Sequence, residues 1–251
     1  MSYHWNWHIF FEKSPDGIYT YGQLLLFGAG WTLATAMLAW VIALTLGAIV
    51  GVIRTAPNPW LVRIGNAYVE LFRNIPLLVQ MFLWYFVLPE VMPESIGDWL
   101  KQLSNASFYN AVICLGLYTS ARVAEQTKAG ILSLRSGQRM AGLAMGLTLP
   151  QTYRYVLLPM AFRIILPPLS SEFLNIIKNS SVALTIGLIE LTAAARSMQE
   201  FSFQVFEAFT GATLIYIAIN IVVVNGMKWL ERRVAVPGFI GPTKAIPAAG
   251  H

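Results

Sequence analysis

Charged residues are scarce in this chain. Only 12% of its 251 residues are Asp, Glu, Lys or Arg, whereas an ordinary soluble domain carries about 25%. Hydrophobic residues make up 56% of the chain, and the mean hydropathy is +0.58. This balance argues against a water-soluble globule or a disordered chain. It predicts an all-α integral membrane protein.

Several kinds of functional residue are also missing. Cys114 is the only cysteine, which excludes an intrachain disulfide and any multi-cysteine metal site. The sequence has no phosphate-binding G-x-x-x-x-G-K-[ST] motif, no H-E-x-x-H pair and no G-x-S-x-G turn. His4, His8 and His251 lie near the chain ends, where solvated histidines are common. Nothing therefore predicts catalysis, an ATP site or a bound metal in this chain.

Long apolar stretches dominate what remains. Residues 17–53 form an uncharged run of 37, and one transmembrane helix needs about 20. Four further spans are predicted, at residues 64–88, 108–131, 164–189 and 208–227. Pro76 is expected to bend the second span, and Pro167 and Pro168 make the limits of the fourth uncertain. Gly47 and Gly51 are spaced to let another helix approach closely, although the high glycine content explains them equally well.

Five spans give an ordered charge distribution. With the N-terminus outside, the outer segments 1–22, 89–107 and 190–207 hold 3 basic residues and 8 acidic ones. The inner segments hold 11 basic residues and one acid, Glu231. This split obeys the positive-inside rule. It predicts one transmembrane domain over residues 1–251, with its N-terminus outside and its C-terminus inside.

The inner segment from Lys128 to Arg163 is unusually long. It has five basic residues and no acid among its 36 residues. A helical pattern begins near residue 136, which predicts a short helix within a cytoplasmic loop at 132–163. That helix suits docking on a cytoplasmic partner, and the alternative is a helix lying on anionic lipid. At the two ends of the chain, we expect an outer segment at 1–22 and a flexible tail at 237–251.

Charges inside the predicted spans are the most informative residues. They are Glu70, Arg73, Arg122, Glu125, Glu172 and Lys178. Each would cost about 2.5–3.5 kcal/mol at the centre of a membrane helix, so they are expected to pair or to line water. Glu70 and Arg73, like Arg122 and Glu125, are three residues apart and so share a helix face. We expect the first pair to be structural and the second functional. Glu172 and Lys178 fit a pathway or gate as well as a structural role.

Three motifs carry a resemblance to a known family. Residues 68–80 read YVELFRNIPLLVQ, which resembles the second-span signature of polar amino acid ABC importer permeases. Residues 175–181, NIIKNSS, resemble the fourth-region signature of the same family. The inner loop resembles the EAA motif, E-A-A, three residues, G, nine residues and I-x-L-P. The matching positions here are Met140, Ala141, Gly142, Gly146, Val156, Leu158 and Pro159.

The departures from the EAA motif are Met140 for Glu, Gly142 for Ala and Val156 for Ile. Losing the glutamate removes a salt bridge that it would make, while the spacing of a docking helix is kept. Together the resemblance covers most of residues 60–195. The chain ends further resemble the larger permease of glutamate/aspartate importers.

The resemblance implies a type I ABC importer permease in the bacterial inner membrane. Such a permease has no enzymatic activity of its own. It would pair with a second permease subunit, identical or different. A cytoplasmic ATPase dimer would hold ATP and Mg²⁺ and dock on the coupling helix, and a periplasmic binding protein would deliver the amino acid. ATP hydrolysis would drive alternating access.

The substrate can be narrowed by one further comparison. Family members commonly read A-Y-x-A-E in the third span, whereas this chain has Arg122 at the tyrosine position and keeps Glu125. Because a guanidinium binds carboxylates through two hydrogen bonds, Arg122 is expected to bind the carboxylate of an acidic amino acid. Glu125 and Glu172 would attract its amino group. Neutral contacts are expected from Gln80, Thr119 and Ser171.

Two other classes of function fit some of these features. In a secondary transporter, Glu125 or Glu172 would carry a proton, but such carriers usually show inverted repeats, and none is visible here. A membrane scaffold would explain five spans but not the spacing of the inner loop. Glutamate, aspartate and their amides are not distinguished by the sequence.

Overall fold

The computed structural model describes residues 5–15, 17–134 and 136–234, and this part of the chain is almost entirely helical. The α-helices are α1 Tyr21–Ile53, α2 Pro59–Asn74, α3 Leu77–Phe82, α4 Leu88–Val91, α5 Glu94–Gln102, α6 Ala106–Ser133, α7 Ser136–Ala144, α8 Leu149–Thr152, α9 Leu158–Asn179, α10 Leu191–Ser202 and α11 Val205–Val234. π-helical turns at Leu83–Val87 and Tyr153–Leu157 join α3 to α4 and α8 to α9. 3₁₀ turns lie at Trp7–Phe11 and Ser180–Ile186.

Close packing of α1 on α6 forms the centre of the bundle. A Cβ atom on Gly47 would lie 2.5 Å from Cβ of Val123, and one on Gly51 would lie 2.5 Å from Cβ of Thr127. On α6, Gly116 likewise leaves space for the close approach of α1. The close approach predicted from the glycine spacing is therefore confirmed. Since both contacts advance together along the chain, α1 and α6 run in the same direction.

The directions of the other long helices follow from their contacts with each other and with this pair. Gly130 near the end of α6 packs on Ile165 near the start of α9. Earlier in α6, Val123 shares a buried cluster with Leu169, which comes later in α9. The helix α9 therefore runs opposite to α6. At the far end of the bundle, Gly211 near the start of α11 lies against Leu25 near the start of α1.

Pro76 divides the second predicted span into two helices. The axis of α2 meets that of the Leu77–Val91 segment at 99°, so the predicted bend is confirmed. Gln80 stabilises the break, because its Nε2 donates to the carbonyl oxygens of Phe72 at 2.8 Å and Ile75 at 2.9 Å. These carbonyls at the end of α2 have no amide partner in the next turn.

The described chain contains several segments long and apolar enough to cross a membrane. They are Tyr21–Ile53, Leu149–Ile186 and Val205–Val234, with the bent pair at Pro76 as a possible fourth. The helix α6 is 28 residues long, but polar and charged residues lower its hydropathy. The prediction of an all-α membrane fold is thus confirmed.

The fourth span begins well before its predicted start at residue 164. A continuous helical run extends from Leu149 to Ile186 and includes both Pro167 and Pro168. The loop predicted at 132–163 is therefore mostly helical, and its second half belongs to this run. Pro150 and Pro159 do not interrupt it, since each lies in the first turn of a helix, where no backbone N–H is needed.

The outer N-terminal segment is ordered where the structure describes it. Phe10 packs against Gly22 on α1 and Gly211 on α11, and Lys13 forms an isolated antiparallel bridge with Thr20. The predicted flexible tail at 237–251 lies outside the described residues.

Replacing Gly47 tests the packing of α1 on α6. We expect Gly47→Ala to lower the free energy of unfolding by about 1–3 kcal/mol, because the new methyl group overlaps Val123. Gly30→Ala on the same helix is the matched control, since nothing lies within 4 Å of its Cβ position. Thermal unfolding of the purified protein in detergent measures both. Equal transition midpoints for the two variants would contradict the packing.

Candidate functional site

A polar cleft lies among α2, α6 and α9 in the part of the chain that the structure describes. Its volume is about 310 Å³, and it is lined by Arg73, Arg122, Glu125, Gln126 and Glu172. Four of these residues were predicted from the sequence as substrate-binding or gate residues. Gln126 is the additional one. The fold thus brings charges from three separate helices to one aqueous opening.

Arg122 presents its guanidinium to this cleft. Its Nη2 donates to the hydroxyl of Tyr118 at 2.8 Å, and its Cζ lies 5.0 Å from the centroid of the Tyr118 ring. Nη1 lies 3.9 Å from Oε2 of Glu172, and 41% of the Arg122 side chain is exposed. Because Tyr118 holds only one edge of the guanidinium, hydrogen-bonding capacity remains toward the cleft.

Glu125 is held by two arginines from other helices. Arg54 Nη2 and Arg73 Nη1 each lie 2.9 Å from Oε1 of Glu125. Glu70 and Arg73 share a helix face, as do Arg122 and Glu125, but neither pair forms an ion pair. Arg73 pairs with Glu125 rather than Glu70, which is exposed and forms no ion pair with another described residue. Arg122 is nearest to Glu172, not Glu125.

Arg54 is the main residue of this region that sequence reasoning missed. It lies in the turn after α1, is 8% exposed and also donates through Nε to Asn66 Oδ1 at 2.8 Å. A Cβ atom on Gly65 would lie 2.6 Å from Arg54 Cγ, so glycine leaves the space for this side chain. Counting Arg54 among the inner-loop charges hid its burial. No sequence signal marked its burial, because only the fold brings Gly65 against it.

Glu172 carries the second carboxylate of the cleft. Its side chain is 12% exposed. Its Oε2 atom is buried and accepts no hydrogen bond from the described residues. The 3.9 Å separation from Arg122 is an ion pair without a hydrogen bond. A buried carboxylate oxygen of this kind can accept a hydrogen bond from a cationic group in the cleft.

The remaining predicted site residues lie elsewhere. Gln80 is 2% exposed, uses its amide nitrogen at the Pro76 break and is not among the cleft-lining residues, so its predicted substrate contact stays a prediction. Thr119 is also 2% exposed and is not among the cleft-lining residues. Ser171 and Lys178 are exposed on α9 outside the cleft lining. Lys178 forms no ion pair within the described chain.

Residues 136–159 carry the EAA-like motif that is predicted to dock on the ATPase, and they fold as a compact unit, named the docking segment below. The helix α7 ends at Ala144 and is followed by Gly146, whose φ of +84° is in the region that favours glycine. The amide of Leu147 donates to the carbonyl of Gly142 at 3.1 Å, which closes the helix end. Met140 is 66% exposed, and Ala141 is exposed beside it. An apolar surface therefore stands where the family motif has a glutamate.

The second part of the motif anchors this segment to the bundle. Gly142 lies against Thr152, whose Cγ2 would be 2.8 Å from a Cβ atom at that position. Val156 and Leu158 are half-buried at the junction of the π-helical turn with α9, while Pro159 is exposed. Tyr153 donates its hydroxyl to the carbonyl oxygen of Thr55 at 2.8 Å.

Two buried carboxylates outside the cleft were also missed. Glu190 caps α10, accepting from the amides of Thr192 at 2.9 Å and Ala193 at 2.8 Å, and from the Tyr216 hydroxyl at 2.9 Å. Glu207 accepts from the amide of Asn6 at 2.7 Å. Both were counted as outer-side charges, and their burial depends on contacts far apart in sequence.

Removing the charge of Glu125 tests its ion pairs. We expect Glu125→Gln to cost about 1.5–3 kcal/mol of stability, because buried Arg54 loses a charged partner. Arg73→Gln is expected to cost about 0–1 kcal/mol, since 53% of the Arg73 side chain is exposed. Thermal and denaturant unfolding in detergent compare the two variants. A larger loss for Arg73→Gln would contradict this hierarchy.

Comparison with known proteins gives these features a common context. Residues 43–236 match the family described as binding-protein-dependent transport system inner membrane component. The glutamate/aspartate import permease protein GltJ of Escherichia coli is 48% identical over 96% of this chain and 99% of its own length. The probable amino-acid ABC transporter permease protein PatM of Vibrio harveyi is 36% identical over 84% of this chain and 91% of its own length.

A solved structure is similar as well. A chain from the crystal structure of an amino acid ABC transporter with histidines aligns with a TM-score of 0.73 and 30% identity, covering 85% of this chain and 95% of that one. The prediction of a permease subunit without enzymatic activity, in the inner membrane, is confirmed. A transport ATPase, a binding protein and another permease subunit are in general the partners of such a component. By sequence and fold, this chain belongs to the family of inner membrane components of binding-protein-dependent transport systems.

Proposed function

We propose that this chain is the permease subunit of an ATP-driven importer that moves glutamate and aspartate across the inner membrane by alternating access. The single observation that carries the substrate class is the position of Arg122 in the polar cleft, opposite Glu172. The 48% identity to a glutamate/aspartate import permease supports the same class.

The formal charge of the cleft suits an acidic amino acid. Arg73 and Arg122 line the cleft with Glu125 and Glu172, and buried Arg54 bonds Glu125, so these five charges together carry an excess of one positive charge. Glutamate and aspartate each carry a net charge of −1 at neutral pH. Their amides carry no net charge and would gain less from this excess.

The contacts of each cleft residue suggest how the substrate is held. Arg122 would bind a substrate carboxylate through the guanidinium edge that Tyr118 leaves open. Glu172 would accept from the α-amino group through its buried Oε2 atom. Glu125 was expected to share that second role, but its Oε1 atom already bonds two arginines. We assign it to the cleft wall instead.

We further propose five membrane crossings, with the N-terminus outside. The shared direction of α1 and α6, the opposite direction of α9 and the contact between the starts of α1 and α11 support an odd number of crossings. The bent α2–α4 segment would supply the crossing between α1 and α6. The excess of basic residues on the inner segments supports the orientation.

The docking segment would bind the ATPase dimer, which would hold ATP and Mg²⁺. Its exposed surface at Met140 and Ala141 is apolar, which suits a groove on that partner. A second permease subunit, identical or different, would complete the pathway. The binding protein would approach from the outer side, where 8 acidic residues are predicted against 3 basic ones.

Substitution of Arg122 tests the assignment of the carboxylate site. We expect Arg122→Tyr to raise the half-saturating glutamate concentration about tenfold to a hundredfold, since a hydrogen-bonded charge pair contributes about 1.5–3 kcal/mol. Uptake of radiolabelled glutamate and aspartate would be measured in proteoliposomes containing the complete transporter. ATP would be sealed inside, and the binding protein added outside.

Arg233→Ala is the matched control, because Arg233 is exposed at the end of α11 and contacts only the Trp229 ring among the interactions observed. Uptake in this variant is expected to be normal. Normal affinity for both amino acids in Arg122→Tyr would remove Arg122 from the site. Uptake driven by an ion gradient without ATP would overturn the importer itself.

A further inference from the structure

The turn that follows α1 contacts the cleft and the docking segment through adjacent residues. On one side, Arg54 is buried and bonds Glu125 in the cleft wall and Asn66 on α2. On the other side, Thr55 accepts from Tyr153 in the docking segment. Two adjacent residues therefore join structures that are otherwise separate in sequence, α2 and α6 on one side and the π-helical turn after α8 on the other.

The Arg54 side of this turn is rigid. Its Nε and Nη2 atoms are both used, at 2.8 Å to Asn66 and 2.9 Å to Glu125. Gly65 closes over its alkyl chain. A displacement of Arg54 would therefore move Glu125 and α2 with it, because the guanidinium has little space in which to rotate independently.

The position of Thr55, on the other side of the turn, is also fixed by hydrogen bonds. Its hydroxyl donates to the carbonyl of Val52 at 2.8 Å, and its amide donates to the same carbonyl at 2.9 Å, so Thr55 is fixed to the end of α1. The Tyr153 hydroxyl lies 2.8 Å from the Thr55 carbonyl oxygen and 3.2 Å from its Oγ1 atom. Tyr153 thus bonds to a part of α1 that cannot swing freely.

Tyr153 is connected in turn to the helix α7. Its neighbour Thr152 is completely buried and packs on Gly142 of α7. Thr152 Oγ1 also donates to the carbonyl of Thr148 at 3.0 Å. A movement of α7 would press on Thr152 and shift Tyr153, since an alanine-sized side chain at 142 would already overlap Thr152.

We propose that the Arg54–Thr55 turn is the joint that transmits movement of the docking segment to the cleft, with Arg54 and Tyr153 as positioning residues. The inference rests on the proposed importer function. Displacement of α7 passes through Tyr153 to Thr55, then through Arg54 to Glu125. The ion pair between Glu125 and Arg73 is the one that opens and closes, because Arg73 is 53% exposed while Arg54 stays buried.

The test is the number of ATP molecules hydrolysed for each glutamate imported. Tyr153→Phe removes only the hydroxyl that bonds Thr55. We expect ATP consumption per glutamate to rise about fivefold, the factor that corresponds to one neutral hydrogen bond of about 1 kcal/mol. Both rates would be measured on the same proteoliposomes. A merely structural defect would lower uptake and hydrolysis together and leave their ratio unchanged.

Tyr155→Phe is the matched control. Tyr155 lies in the same π-helical turn, is 62% exposed and contacts Arg154 through its ring, which phenylalanine keeps. Its ratio is expected to equal that of the unsubstituted protein. An unchanged ratio in Tyr153→Phe, or an equal rise in both variants, would overturn the joint.

Arg54→Lys provides an independent variant that retains the positive charge. A single ammonium group cannot reproduce the two-sided bonding of a guanidinium to Asn66 and Glu125. We expect the ratio to rise here too, and the double variant with Tyr153→Phe to be no worse than Arg54→Lys alone. If the two substitutions multiply each other's effect on the ratio of ATP to glutamate, they act on two separate paths, and the proposal is overturned.

A distance measurement can test the proposed joint independently of the proposed substrate. Spin labels would be attached at Leu71→Cys on α2 and Ala129→Cys on α6, both exposed positions, while Cys114 is buried and does not react. We expect ATP with vanadate to change the label distance in the complex, and Tyr153→Phe to reduce that change. If the label distance changes equally in the unsubstituted protein and in Tyr153→Phe, or changes in neither, the joint is overturned whatever amino acid is transported.

Discussion

The ion pair between Arg54 and Glu125 is the constraint on which the inner half of the molecule depends. A guanidinium that is 8% exposed is stable only where its donors find acceptors. Asn66 on α2 and Glu125 on α6 supply acceptors for Nε and Nη2, while the buried Nη1 atom has no hydrogen-bond partner among the described residues. These helices must therefore converge on the end of α1. Gly65 is required at the same point because a larger residue would occupy the space of the arginine side chain.

Two kinds of contact divide the bundle into a rigid part and a movable part. The helices α1 and α6 meet through glycine, with almost no side chain between them. Close backbone packing of this kind does not slide easily. By contrast, the exposed Arg73 of α2 and the Glu172 of α9 reach the cleft through ion pairs that water can replace. The rigid pair therefore supports the cleft, while the side chains of Arg73 and Glu172 can change their partners within it.

The sequence predicted the elements that depend on local chemistry. Pro76 favours a bend because proline removes a backbone donor, and Gly47 permits close packing on any neighbour. Pairing of charges depends instead on which helices become neighbours, so Arg73 was assigned to Glu70 when its partner is 52 residues away. Arg122 and Glu172 line the cleft and lie near each other, as expected of charges that must pair or reach water in a membrane. Arg54 was missed because a turn residue gives no sequence signal of its burial.

The positive charge of the residues around the cleft also bears on which ions can enter it. An opening toward the cytoplasm or the periplasm admits water along with the substrate. Two arginines and two glutamates line the cleft, and buried Arg54 adds a third positive charge beside Glu125, so the proposed site would raise the energy of any small cation that entered it. Sodium ions and hydrated protons would then be repelled by the same residues that we propose attract a carboxylate. Such repulsion would protect the ion gradients of the membrane during each transport cycle, because ions would not leak through with the imported amino acid.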